Sequence, residues 1–223
     1  MNTILFDLDG TLTDPYEGIT KSILYALEQC QVFDDDPQKL RSCIGPPLTY
    51  SFSEIYHLPE DRIGFAVRKY RERYGSVGWA ENIPLDGVLP MLDELKKAGF
   101  RMAVASSKPK PFVDKILDKF GMTKYMDAVV GSGLDGSLNS KTLVIEEAMR
   151  LLGAEKEDCV MVGDRKHDAE GAKACSLPCI GILTGYAEEG ELERAGATYV
   201  VSSFRELTTL LLSLQNKKDE KKD

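Results

Sequence analysis

Ile4-Leu5-Phe6-Asp7-Leu8-Asp9-Gly10-Thr11-Leu12-Thr13 places two carboxylates two residues apart where a short apolar run ends. Such a run reads as a buried strand, and the alternation of side chains along it starts Asp7 and Asp9 on the same side. Gly10 permits a sharp departure of the chain, which leaves both carboxylates at the edge of a sheet instead of inside it. That edge is where open α/β sheets bind their ligands. In isolation the stretch also reads as an acidic turn, so the rest of the chain has to decide.

Working outward, β-rich runs recur at Thr3 to Phe6, Arg101 to Ser106, Ala128 to Gly131, Cys159 to Gly163, Cys179 to Leu183 and Tyr199 to Val201, with helical segments between them. This alternation predicts an α/β fold with a parallel sheet covered on both faces. Val88, Leu89, Leu92 and Leu95 recur with helical period before Gly99, and Leu143, Ile145, Met149 and Leu152 do so before Gly153. Between Asp14 and Asn82 no convincing strand occurs, while Ile19, Ile23, Leu27 and Cys30 share one helical face and Ile63, Val67, Tyr70 and Tyr74 another. A crossover needs only about a dozen residues, so this stretch reads as an inserted helical cap, a lid over the site. The expected organisation is a catalytic core at 1–14 and 82–215, the cap at 15–81, and a disordered tail at 216–223, where a Lys/Asp/Glu run has no apolar residue.

A chain of 223 residues with 43% hydrophobic content buries a sizeable core. A formal net charge of -8 argues against general binding to nucleic acid or anionic lipid, so an anionic substrate needs local cations or a metal. No apolar run approaches the length of a membrane span, and the apolar stretch at the start is too short for a signal peptide. Cys30, Cys43, Cys159, Cys175 and Cys179 are scattered without the paired spacing of zinc sites, which predicts reduced thiols in a cytoplasmic protein. Oligomeric state is not written in the sequence.

Four polar elements fall at predicted strand ends or helix starts: Asp7-Leu8-Asp9-Gly10-Thr11; Ser106-Ser107-Lys108 after an apolar strand; Lys141; and Gly163-Asp164-Arg165-Lys166-His167-Asp168. In this order, and over nearly the whole chain, they resemble the haloacid dehalogenase-like hydrolases, in particular phosphoglycolate phosphatase-like members with a helical cap and a Rossmann-like core. The resemblance implies that Asp7 is the nucleophile and that Asp9 is the acid and base. It implies a Mg²⁺ ion bound by Asp7, the backbone carbonyl of Asp9 and Asp164. Ser106, Ser107, Lys108 and Lys141 are then expected to hold the phosphoryl group, with Asp168 supporting Lys141 or a metal-bound water. The implied partner is a small-molecule phosphate ester, and Gly45, Pro46 and Pro47 resemble the subgroup's substrate-facing loop.

These roles answer what phosphate ester hydrolysis demands. The uncatalysed reaction is so slow that a nucleophile, a proton donor and charge neutralisation are all required. Each residue also has a structural reading: Ser106 ending a strand, Lys141 solvated in a first helical turn, Asp168 capping a helix, Pro46 and Pro47 opening one. His57 and His167 are expected at the surface. Asp9 favours phosphoryl transfer over dehalogenation. A phosphomutase, a pyrophosphatase and a non-catalytic phosphate-binding regulator remain as alternatives.

Overall fold

Thr-Ile-Leu-Phe at residues 3 to 6 is buried along its whole length, as are Cys159–Gly163 and Cys179–Ile182, which is how strands covered on both faces read. The computed structural model describes residues 1–219, with side chains through 215. In chain order the elements begin with β1 (Thr3–Phe6), β2 (Thr13–Asp14), α1 (Tyr16–Gln29), α2 (Pro37–Ser42), α3 (Leu48–Tyr50), α4 (Glu60–Ser76), β3 (Ile83–Pro84) and α5 (Val88–Lys97). They continue with β4 (Arg101–Pro109), α6 (Lys110–Lys119), β5 (Ala128–Ser132), α7 (Lys141–Leu152), β6 (Cys159–Gly163), α8 (Lys166–Ala174), β7 (Cys179–Ile182), α9 (Glu191–Ala195), β8 (Tyr199–Val201) and α10 (Phe204–Asp219).

Contacts divide the chain into two units, Met1–Thr13 with Pro84–Asp223, and Asp14–Ile83. The first unit is a Rossmann-like α/β fold whose sheet runs β5-β4-β1-β6-β7-β8 with every pairing parallel. Its register sets the site: Phe6 lies between Val104 and Val162, so Asp7, Ala105 and Gly163 follow in line at one edge. The chain crosses from β1 to β4 on one side and later to β6 on the other, which makes this edge the topological switch point. Leu5, Val130, Ile145, Met161 and Ala169 belong to the core that joins the sheet to its helices.

The second unit is helical. Ile19, Ile23 and Leu27 of α1 are buried, and α1 packs on α4, where Ala66, Tyr70 and Tyr74 form the buried face and the two tyrosine rings stack at 5.4 Å. Ile63 and Val67 are half-buried. Arg73 makes a two-pronged ion pair with Glu81 at 2.8 and 2.9 Å, which uses its guanidinium inside this unit. Lys21 is an exposed helical lysine paired with Glu17.

Three expectations need correction. On α7 the buried face is Lys141, Val144, Ile145 and Ala148, and Leu143 is 40% exposed, because the inward Lys141 sets the helical phase through positions 141, 145 and 148. On α5 Met91 replaces Leu89, which is 38% exposed, since Val88 starts the helix facing inward and positions 91, 92 and 95 follow it. Residues 216–219, expected to be disordered, continue α10. Asn-Lys-Lys-Asp contains neither Pro nor Gly to stop the helix. Residues 220–223 of the expected tail lie outside the described residues.

Candidate active site

Asp7 is the first residue past β1, and its N–H donates to the Val162 carbonyl at 2.9 Å, which extends the strand pairing by one residue and fixes the carboxylate at the sheet edge. Gly10, with φ of +83°, then turns the chain back so that its N–H donates to the Thr13 carbonyl at 2.7 Å. The turn brings the buried Thr11 hydroxyl to Asp164 Oδ1, to which it donates at 3.2 Å.

Lys141 comes from the first turn of α7, capped by the Ser140 hydroxyl. Its buried Nζ donates to Asp7 Oδ1 at 2.7 Å and to the Ala105 carbonyl at 3.1 Å, and it ion-pairs with Asp168 Oδ1 at 2.8 Å. Burial would lower its pKa, but Asp168 and Asp7 outweigh burial and hold Lys141 above the ordinary lysine range as a fixed cation. Asp168 has two jobs, because its Oδ2 also accepts the Arg165 N–H at 3.0 Å and caps α8. The helix-capping and functional readings of Asp168 therefore coexist.

Asp164 is 0% exposed. Its Oδ2 accepts the Tyr186 N–H at 2.8 Å. A Cβ on the neighbouring Gly185 would fall 2.1 Å from the same oxygen, so the loop after β7 passes as close as a glycine allows. Burial, then Asp168 and Asp7, push the Asp164 carboxyl well above the usual range. Ligand oxygens of Asp7, Asp164 and Asp168 all lie within 4.8 Å of one another. Three carboxylates at that spacing, with the Lys141 ammonium shared between two of them, form an all-oxygen set that fits a hard dication.

Asp9 turns elsewhere: its Oδ2 meets Lys108 Nζ at 2.5 Å, and the Lys108 side chain is 5% exposed. Among carboxylates the triad is completed by Asp168, whereas the expected contribution of Asp9 to a metal was through its backbone carbonyl. Ser106 is buried at the same edge and accepts the Lys108 N–H at 3.3 Å. The Ser107 side chain is exposed and its carbonyl accepts the Ser132 hydroxyl at 2.8 Å. Gly45, Pro46 and Pro47 lie in the helical unit, where Gly45 has φ of 105° and Pro47 immediately precedes α3. His57 is exposed and the His167 side chain is 40% exposed, 3.7 Å from Glu170.

Thr11, Gly185, Tyr186 and Glu191 were given no role from sequence. The available signal was topological: a Gly-Tyr pair following a buried strand that neighbours β6 must emerge at the edge where Asp164 sits.

The family model described as haloacid dehalogenase-like hydrolase matches residues 4–182. A 5'-nucleotidase of Pseudomonas aeruginosa is 39% identical over 94% of this chain and 95% of its own. The tyrosine-protein kinase PtkA of Mycobacterium tuberculosis is 35% identical over 88% of this chain and 67% of its own. A solved structure described as a predicted phosphatase from Clostridium acetobutylicum superposes with a TM-score of 0.89 at 43% identity, covering 95% of this chain and 98% of that one. Among the described residues no helix is long and apolar enough to cross a membrane.

Proposed function

From the premise that the chain belongs to the haloacid dehalogenase-like hydrolases and is a phosphatase, we propose that it hydrolyses a small-molecule phosphate monoester, with Mg²⁺, through a phosphorylated Asp7. The observation that carries this reading is the buried constellation of Asp7, Asp164 and Asp168 around Lys141, with Asp9 two residues beyond the nucleophile. Asp7, the backbone carbonyl of Asp9 and Asp164 would hold the ion, with Asp168 nearby. When bound, Mg²⁺ offsets the repulsion between a phosphate dianion and Asp7 and withdraws charge from the phosphoryl oxygens.

Lys141 orients Asp7 through Oδ1 and supplies positive charge where the phosphoryl group arrives. Asp7 attacks phosphorus, the bond from phosphorus to the ester oxygen breaks, and Asp9 passes its proton to that oxygen. Asp9, now a carboxylate, takes a proton from water as the hydroxide oxygen bonds to phosphorus. The Asp7–phosphorus bond then breaks, which returns both aspartates to their starting states and releases phosphate. Ser106 and Lys108 sit on the strand beside Asp7 and Asp9, in place to meet the remaining phosphoryl oxygens. Selection of the ester is assigned to the inserted helical unit and its Gly45-Pro46-Pro47 turn, because the roles proposed for the core residues all serve the phosphoryl group that every such ester shares. Phosphoglycolate, nucleoside monophosphates and sugar phosphates are the substrate classes to compare.

The test is p-nitrophenyl phosphate turnover with Mg²⁺ and with excess chelator, followed by acid quenching of labelled enzyme. Turnover should stop with chelator and in Asp7→Asn. Asp9→Asn should accumulate phosphoenzyme, since p-nitrophenolate leaves with little acid help while the attacking water still needs a base. Label on a residue other than Asp7, or full activity in chelator, refutes the reading.

A further inference from the structure

Asp164 depends on two loops that follow different strands, and one buried carboxylate ties those loops together. Glu191, the first residue of α9, is 7% exposed. Its Oε1 accepts from the Arg165 Nε and from the Lys166 N–H, each at 2.8 Å, and its Oε2 accepts the Glu188 N–H at 3.0 Å. Arg165, at the turn after β6, and Lys166, the first residue of α8, directly follow Asp164. Glu188 follows, by two residues, the Tyr186 amide that donates to Asp164 Oδ2. The backbone that carries Asp164 and the backbone that binds it thus share an anchor.

Tolerances around that anchor are small. A Cβ at Gly185 would sit 2.1 Å from Asp164 Oδ2, and one at Gly10 would sit 2.2 Å from the same atom. Displacement of the loop after β7 therefore changes both the hydrogen bond to Asp164 and the space its carboxylate can occupy. Glu191 also satisfies two backbone N–H groups, a structural role in its own right. A buried ion pair adds little over well-packed apolar residues of similar volume, because desolvation offsets most of the attraction.

We infer that Glu191 is a positioning residue for Asp164, fixing that carboxylate toward the space shared with Asp7 and Asp168 and so setting the affinity for a divalent cation. The inference rests on the metal reading given above. Groups that orient a ligand without touching the metal commonly change its affinity about 10- to 100-fold when removed.

The test compares the full-length parent with Glu191→Gln, Glu191→Ala and Asp164→Asn. Mn²⁺ serves as the probe, read by the paramagnetic resonance of the free ion, alongside Mg²⁺ activation of p-nitrophenyl phosphate hydrolysis and the melting temperature. Glu191→Gln, which keeps the volume and one acceptor oxygen, should weaken Mn²⁺ binding by about tenfold, and Glu191→Ala further toward about a hundredfold. KM for the ester at saturating Mg²⁺ should stay near the parent value. If Glu191→Ala does not fold, Glu191→Gln carries the test. A lower melting temperature with unchanged Mn²⁺ binding in Glu191→Gln overturns the inference and leaves a structural clamp. Asp164→Asn that binds Mn²⁺ as the parent does overturns the metal reading itself, a result distinct from loss of binding in Asp164→Asn with normal binding in the Glu191 variants.

Discussion

Asp164 is a carboxylate buried beside two others, and its placement depends on atoms that are missing from its neighbours. Gly185→Ala puts a methyl group 2.1 Å from Asp164 Oδ2, so either the loop or the carboxylate must move. Overpacking of this kind costs about 1–3 kcal/mol. We expect a matching loss of stability by denaturant titration, together with a drop in activity of about tenfold or more and a raised Mg²⁺ requirement. Unchanged metal dependence in a destabilised Gly185→Ala would place the clash elsewhere. Asp7, Asp9, Lys141, Asp164 and Asp168 were legible from sequence because each sits at a strand end or helix start with a recognisable residue type. Tyr186 and Glu191 were not, since their link to Asp164 is a backbone amide and a carboxylate in the loop of another strand. Lys108 shows a different limit, for its pairing with Asp9 at 2.5 Å could not be read from the sequence. A buried ammonium needs an anion, and spacing along the chain cannot say which one.

The helices illustrate what periodicity can and cannot fix. The existence of α1, α4, α5 and α7 followed from apolar recurrence, but the phase of α7 depended on a lysine facing inward, which a hydrophobic pattern counts as outward. Helix α4 carries its own inefficiency at Gly64, which is exposed, has ordinary helical backbone, and would offer a Cβ no contact closer than 3.7 Å. Gly64→Ala should therefore raise stability by about 0.5–1 kcal/mol, through the smaller conformational freedom lost on folding. The measurement is the denaturant midpoint, with kcat and KM for p-nitrophenyl phosphate unchanged. Destabilisation would mean that this face of α4 is packed in solution. The contrast with Gly185 separates a glycine tolerated by its element from one required by its neighbour.

Across the whole molecule the five cysteines are free thiols, and four of them are buried. Burial pushes Cys43 and Cys159 each up to about 11, and raises Cys179 further still. Because the thiolate is the reactive form, iodoacetamide at neutral pH should leave these three unmodified in the native protein and label them in guanidinium. Cys175, which is half-buried, should react first; mass spectrometry of peptides reads the order. Rapid native labelling of Cys159 or Cys179 would contradict the packing of the central sheet. Strand succession and the covered faces of that sheet were readable from apolar runs and intervening helices, whereas the order β5-β4-β1-β6-β7-β8 was not, because pairing partners are chosen by tertiary packing. That order carries a consequence for synthesis. Thr3 pairs with Arg101 on one side and with Cys159 on the other, so β1 lacks its second neighbour until β6 has been made. At ordinary translation rates Cys159 is added on the order of ten to thirty seconds after Thr3. During that interval Thr-Ile-Leu-Phe has an open edge for another chain to occupy, and Asp7 has no Asp164 beside it. Asp7 therefore meets Asp164 only after β6 has been made, so the acidic cluster is assembled late relative to the strand that opens it.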